Sequence, residues 1–230
     1  RESLAEIGVP RERIFIMPMA VNINHFIPAA PGADAIQRQW QLEGRYVIGY
    51  VGSLSGWHGI DMLHDMAQKI LSRRNDFAIL VVGGEPEQVE RHRRRAQEKG
   101  VEKHLIFTGS VSYENVPAHL AAMDVALVPD TNYWTCPTKM FEYQACAVPT
   151  IAPRYPAVVD ALSDGEEGLL FNPGNMDAAI ECILSLADAP ERRAEMGRKG
   201  RERVCATRSW QRNVHSIERL YECIRNGQMP

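Results

Sequence analysis

YVIGYVGSLSGWHG, residues 46–59, is a continuous apolar run closed by a glycine-rich polar turn, and a helical stretch from Ile60 to Ser72 follows it. A strand apolar at every position is covered on both faces, as parallel strands of α/β sheets are. The same unit recurs outward along the chain. Apolar runs at Ile14 to Met17, Ala78 to Val82, Leu105 to Thr108, Val125 to Val128, Pro149 to Ala152 and Gly168 to Phe171 alternate with helical stretches at Pro86 to Lys99, Glu114 to Met123, Lys139 to Cys146 and Met176 to Ala187. This order predicts an α/β fold: a Rossmann-like, doubly wound parallel sheet with helices on both faces and its ligand at the carboxyl ends of the strands. Residues 28–44 read as a connector with a short helix near Ala35 to Trp40. Beyond Gly174 the strands stop, and helices continue through the 190s and from Trp210 to Ile224, with breaks expected at Pro190 and across Gly197-Arg198-Lys199-Gly200.

A second stretch, CPTKMFEYQACAVP at residues 136–149, matches the first in design: each reads as a tight polar turn opening a helix. The first N–H groups of a helix have no intrahelical partner and sit at the positive end of its dipole, so such turns hold phosphate. Glu142 adds a carboxylate one turn inside its helix. Donors for an anion beside an acceptor for sugar hydroxyls imply a nucleotide diphosphate bearing a sugar.

The 230 residues, 45% hydrophobic and 24% charged, suit a globular protein of one large domain or two small ones. A net charge of −3 supplies no field to gather nucleic acid. The five cysteines, at 136, 146, 182, 205 and 223, lack any C-x-x-C pair, which argues against a disulfide framework or structural zinc and fits a reducing cytosol. The histidines show no H-x-x-x-H or Cys/His spacing, so no metal is expected. No run of about 18 apolar residues and no signal peptide is present. Arg91-His92-Arg93-Arg94-Arg95 spreads over every face of a helix, and most of it is expected to be solvated and paired with Glu85, Glu87, Glu90 and Glu98.

Val51-Gly52-Ser53-Leu54 followed by Trp57-His58-Gly59, together with Pro137-Thr138-Lys139-Met140-Phe141-Glu142-Tyr143, resembles the donor-binding half of a retaining glycosyltransferase of the family 4, group 1 type with the GT-B fold. Ile14 to Pro28 resembles the segment that crosses from the acceptor domain, and Glu167 to Gly174 the strand and turn before the closing helices. The resemblance implies a single nucleotide-sugar donor-binding domain over residues 1–230. Since Arg1 is not a methionine, an amino-terminal acceptor domain is expected outside this chain, and the isolated domain is expected to be inactive. It further implies a UDP- or GDP-sugar substrate without cofactor or metal. The acceptor would be a carbohydrate, a lipid or a small molecule, in polysaccharide or glycolipid synthesis. A cytoplasmic location is implied, with peripheral association of the full-length enzyme at the inner membrane face left open.

Residue by residue, Gly52 permits the sharp turn after the strand and Ser53 follows where the diphosphate approaches, though Gly-Ser also suits a plain turn. The family often carries arginine at the place of Ser53 and lysine at that of His58. Trp57, His58 and Gly59 form the second half of this turn. His58 is expected to donate to phosphate or sugar, with affinity weakening at alkaline pH as its charge is lost. Lys139 lies in a first helical turn, where the dipole disfavours a cation by up to about 1 kcal/mol, and a diphosphate would compensate. Pro137, Thr138 and Met140 surround it, the last two as backbone N–H donors. Glu142 resembles the end of the family's Glu-x7-Glu motif and would bind ribose; eight places earlier stands Trp134 rather than a carboxylate. Tyr133 and Trp134 would stack on a sugar or on the acceptor, or pack on their own domain. Val111 and Tyr113 would face the base, and Gly84, in the pair Gly83-Gly84, would line the same edge. Met19 to Asn22 departs from the family's Asn-Gly-Val-Asp.

The implied function is transfer of a sugar with retained configuration, His58, Lys139 and Glu142 being the reactive set. The alternative is a domain of the same fold that has lost donor binding and serves as an interaction or regulatory module. A dinucleotide-binding domain would need G-x-G-x-x-G after the first strand, which residues 49–54 do not provide.

Overall fold

The computed structural model describes residues 2–227. Six strands form one parallel sheet: β1 (Tyr46–Val51), β2 (Phe77–Val82), β3 (Leu105–Gly109), β4 (Val125–Leu127), β5 (Thr150–Pro153) and β6 (Gly168–Phe171). Ten helices accompany them among the described residues: α1 (Glu2–Glu6), α2 (Ala33–Gln39), α3 (Met62–Leu71), α4 (Pro86–Glu98), α5 (Val116–Ala121), α6 (Lys139–Ala145), α7 (Pro156–Val159), α8 (Met176–Ala187), α9 (Pro190–Thr207) and α10 (Trp210–Arg225). The strand order β3-β2-β1-β4-β5-β6 reverses direction at β1 and β4, and the crevice at their carboxyl ends is where such sheets bind ligands.

Alternation along buried strands explains the two layers of helix. Ile48 and Tyr50 of β1 and Ile79 and Val81 of β2 enter a core completed by α3, α4 and α8. Val47, Val51, Leu80 and Val82 point the other way, into a core completed by α6 and the end of α9. Local chemistry sets the helix ends. Pro86 occupies the first turn of α4, where Glu85 and Gln88 form a reciprocal capping box. The side chain of Asn175 accepts from the N–H of Ala178 at 2.9 Å to start α8.

Three expectations need correction. Ile14 to Met17 forms no strand: Ile14 is buried, but Phe15, Ile16 and Met17 are exposed, so this apolar run serves a surface and not the sheet. The helix expected over 114–123 is shorter, a 3-10 turn at Tyr113–Asn115 preceding α5. The third concerns Gly197 and Gly200, which do not break α9. A Cβ on Gly197 would strike the carbonyl oxygen of Ala147, and one on Gly200 would lie 3.3 Å from Gln144 Cγ. These glycines let α9 pack directly on α6 and the turn after it.

The entering and leaving segments lie together. Val21 N–H donates to Arg208 O at 2.8 Å, Trp210 N–H to Val21 O at 3.3 Å, and the Asn213 amide to Pro18 O at 2.9 Å. Arg201 of α9 donates to the carbonyls of Ile23, Phe26 and Ala145.

Candidate active site

β1 gives way to the turn at Gly52, whose φ of 148° disfavours any side chain; a Cβ there would lie 2.7 Å from Lys139 Nζ and 2.9 Å from Tyr50 Oη. The lysine therefore passes directly beneath the turn. Its Nζ donates to Tyr50 Oη at 2.9 Å and sits 4.3 Å from the centre of the Tyr50 ring. Tyr50 Oη in turn donates to Ser53 O at 2.7 Å, fixing the turn above. Tyr143, one helical turn from Lys139, is completely buried and accepts from the N–H of Val51 at 2.9 Å. Strand end, turn and α6 are thus tied into one frame.

Charge in this frame is poorly compensated. Burial pulls the Lys139 ammonium down to about 8, although Glu142 opposes the shift. Burial likewise raises the Glu142 carboxyl, with Lys139 and His25 opposing. The two form no ion pair within contact distance, and no hydrogen bond reaches the Glu142 carboxylate among the described residues. A half-buried carboxylate and a half-buried ammonium, each with spare bonding capacity, stand at one strand edge.

His58 departs from expectation. It lies in a 3-10 turn, Gly56–His58, its ring centre 3.5 Å from that of the exposed Trp57 with the planes tilted by 36°. Burial, and then the charge of Lys139, push its imidazole down to about 4. It is neutral at pH 7 and can offer one N–H but no charge. Gly59 closes the turn in the left-handed region, and a Cβ there would meet Asp130 Cβ at 2.7 Å.

The second turn opens directly into α6 as expected, but the first does not open directly into a helix. α3 begins only at Met62, and the N–H groups of His58 and Gly59 are taken by Ser55 O and Gly56 O. In the second stretch Met140 is buried in the core and its N–H donates to Pro137 O at 3.0 Å, so it offers nothing to a ligand. Pro137 is buried, and Thr138 is exposed at the start of α6.

A cavity of about 480 Å³ opens on the same edge, lined by Gly52, Ser53, Gly84, Gln88, Ser110 and Val111 among others. Ser53, Gly84 and Val111 thus share one cavity at the carboxyl edge of the sheet. Tyr113 does not line this cavity. It stacks on His25 at 4.3 Å, and His25 Nε2 lies 3.0 Å from Tyr113 O. Both residues interact electrostatically with Glu142, so they stand on its side of the site. Trp134 is 86% exposed and meets Tyr133 edge-on at 4.7 Å; Tyr133 also meets Tyr155, whose hydroxyl is 3.3 Å from Asp130 Oδ1. A larger cavity, about 700 Å³, lies at the opposite, amino-terminal edge of the sheet. Its Arg45 is already committed to the carbonyls of Phe77 and Lys103, and topology favours the carboxyl edge.

Sequence reading missed Tyr50, His25 and Asp130. A hydroxyl in an otherwise aliphatic strand was the available sign for Tyr50. His25 and Asp130 reach the site only through folding, and no spacing announces them.

Residues 33–203 match the family model described as "Glycosyl transferases group 1". The chain is 28% identical over 223 residues to a GDP-mannose-dependent alpha-(1-6)-phosphatidylinositol monomannoside mannosyltransferase of Mycolicibacterium smegmatis, covering 92% of this chain and 56% of that protein. It is 28% identical over 209 residues to a GDP-mannose-dependent alpha-mannosyltransferase of the same organism, covering 91% and 51%. The chain therefore spans about half the length of the curated relatives it matches. Anabaena Alr3699/HepE, solved in complex with UDP, shares the fold at a TM-score of 0.84 and 17% identity, over 96% of this chain and 60% of that one. The C-terminal domain of a Francisella tularensis group 1 glycosyl transferase (LpcC) aligns at 0.70 and 20% identity, over 83% and 99%.

Proposed function

The chain belongs to the group 1 glycosyl transferases, and from that premise we propose that it holds the nucleotide-sugar donor of an enzyme that transfers a sugar to a hydroxyl with retention of configuration. Lys139 carries this reading: an ammonium buried beneath the Gly52 turn, held by a phenol and not by a carboxylate, is a preorganised charge for a leaving diphosphate. Negative charge grows on the diphosphate as the glycosidic bond breaks, and a fixed cation lowers that barrier without reorganising. His58 supplies a neutral N–H to the same anion. Glu142 accepts from the ribose hydroxyls with a carboxylate that no group among the described residues occupies. Trp134 and Tyr133 offer exposed rings to the transferred sugar or the acceptor. The acceptor half lies in a separate segment of the full enzyme, which works in the cytoplasm.

The relatives' names specify GDP-mannose, so GDP and GDP-mannose lead UDP and UDP-sugars as donors. Calorimetric titration with GDP, UDP, ADP and their sugars tests this. Selective binding of one nucleoside diphosphate, weakened at least about 10-fold in both Lys139→Ala and Glu142→Ala, is the expected result. No binding in the full-length protein, or binding indifferent to both substitutions, would instead support the interaction-module reading.

A further inference from the structure

Asp61, His64 and His92 bring one ligating atom each to within 4.8 Å of one another, behind the donor turn and outside the site described above. Asp61 and His64 stand three residues apart at the start of α3, and His92 comes from α4. The sequence offers no local ligand motif because the third member is 28 residues away on another helix.

His92 gives the cluster its meaning. It is 2% exposed, and neither ring nitrogen has a hydrogen-bond partner. Burying a polar group unbonded costs on the order of 1–3 kcal/mol, and nothing nearby repays it. His64 is fully buried with both nitrogens 3.2 Å from carbonyls, of Asp61 and of His92. A neutral imidazole has one N–H, so one of those nitrogens presents its lone pair to an oxygen. Two adjacent buried imidazoles, each with an unused lone pair, are arranged for an electron-pair acceptor.

The metric fits. Two imidazoles on one tetrahedral metal, with metal–nitrogen bonds of about 2.0–2.1 Å, place their ring centres roughly 5 Å apart. Those of His64 and His92 are 5.3 Å apart, with planes 18° from parallel. Asp61 is exposed, and one of its carboxylate oxygens accepts from Arg95 Nη1 at 2.6 Å, leaving the other oxygen to a ligand. Phe107, stacked on both rings, forms the dry floor.

We propose that Asp61, His64 and His92 form a binding site for a divalent transition metal of the zinc type, with a fourth position open to solvent beside Asp61. Imidazole with one carboxylate suits zinc, nickel and copper and is a poor match for magnesium or calcium. Since Asp61 follows Gly59 by two residues, the bound ion would pin the donor turn to α4. The inference stands independently of the proposed donor.

The test is titration of the purified protein with Zn²⁺, and with Co²⁺ for its visible spectrum. One equivalent should bind, with a tetrahedral cobalt spectrum free of thiolate charge transfer. Asp61→Asn, on the surface and compatible with folding, should weaken affinity at least about 10-fold, and His92→Phe, which extends the Phe107 stack, should abolish binding. Absence of stoichiometric binding, a thiolate signature from the five cysteines, or unchanged affinity in Asp61→Asn would overturn the proposal.

Discussion

Lys139 is half-buried and, among the described residues, has no carboxylate partner, and the free protein bears the cost. Its value of about 8 lies below the ordinary 10.5, so between those limits the unfolded chain binds more protons than the folded one. Folding stability attributable to this group is therefore lowest below pH 8 and rises as pH climbs toward 10.5. Lys139→Met should stabilise the free protein at pH 7 by roughly 2–3 kcal/mol, or roughly 5 °C or more in Tm, with the advantage shrinking at pH 10. The same substitution should cost about 10²-fold in turnover. Nucleotide affinity obeys the reverse sign: a bound diphosphate favours the ammonium, so affinity is full below pH 8 and falls above it. This alkaline limb belongs to Lys139 and not to His58, which is neutral throughout; calorimetry across pH 6–9.5 should show the limb persisting in His58→Gln and vanishing in Lys139→Met. Tyr50→Phe removes the hydroxyl that joins Lys139 to the Ser53 carbonyl, and should lower turnover about 10-fold with little change in Tm. Lys139, Glu142 and Gly52 were legible in the sequence because their chemistry is local to short motifs. Tyr50 and His25 were not, because their roles depend on neighbours 89 and 88 residues away.

At the level of elements, the parallel sheet was legible because most strands are continuous apolar runs alternating with helices; the strand order emerges only from the folded chain. Hydrophobicity alone misled at Ile14 to Met17, where all but Ile14 face outward. Glycine misled in α9, where it reads as a helix breaker and acts as a spacer. The two readings predict opposite signs. Were Gly197 a point of weakness, alanine would stabilise the helix by about 1 kcal/mol. Because a Cβ would meet the Ala147 carbonyl, Gly197→Ala should instead destabilise by about 2–3 kcal/mol, lowering Tm by roughly 5–10 °C, and Gly200→Ala by less. Thermal unfolding of the two variants decides between them.

Across the whole molecule, one apolar surface has no partner among the described residues. Trp210, Val214, Ile217, Tyr221 and Ile224 form a single exposed stripe along α10, and Phe15 borders the same helix. Spacings of three and four residues place them on one helical face. On the proposed reading the acceptor half covers this stripe. Ile217→Glu with Tyr221→Glu should then leave nucleotide affinity unchanged and reduce sugar transfer in the full-length enzyme, as a comparison of binding with turnover would reveal. The hydrogen bonds joining Pro18 to Asn213 and Val21 to Arg208 and Trp210 have another consequence. The segment from Val21 to Ser209 begins and ends at nearly one point, so it behaves as a cassette. A cassette of this kind can be spliced into a surface loop of an unrelated host, or circularly permuted across that junction, without stretching either connection.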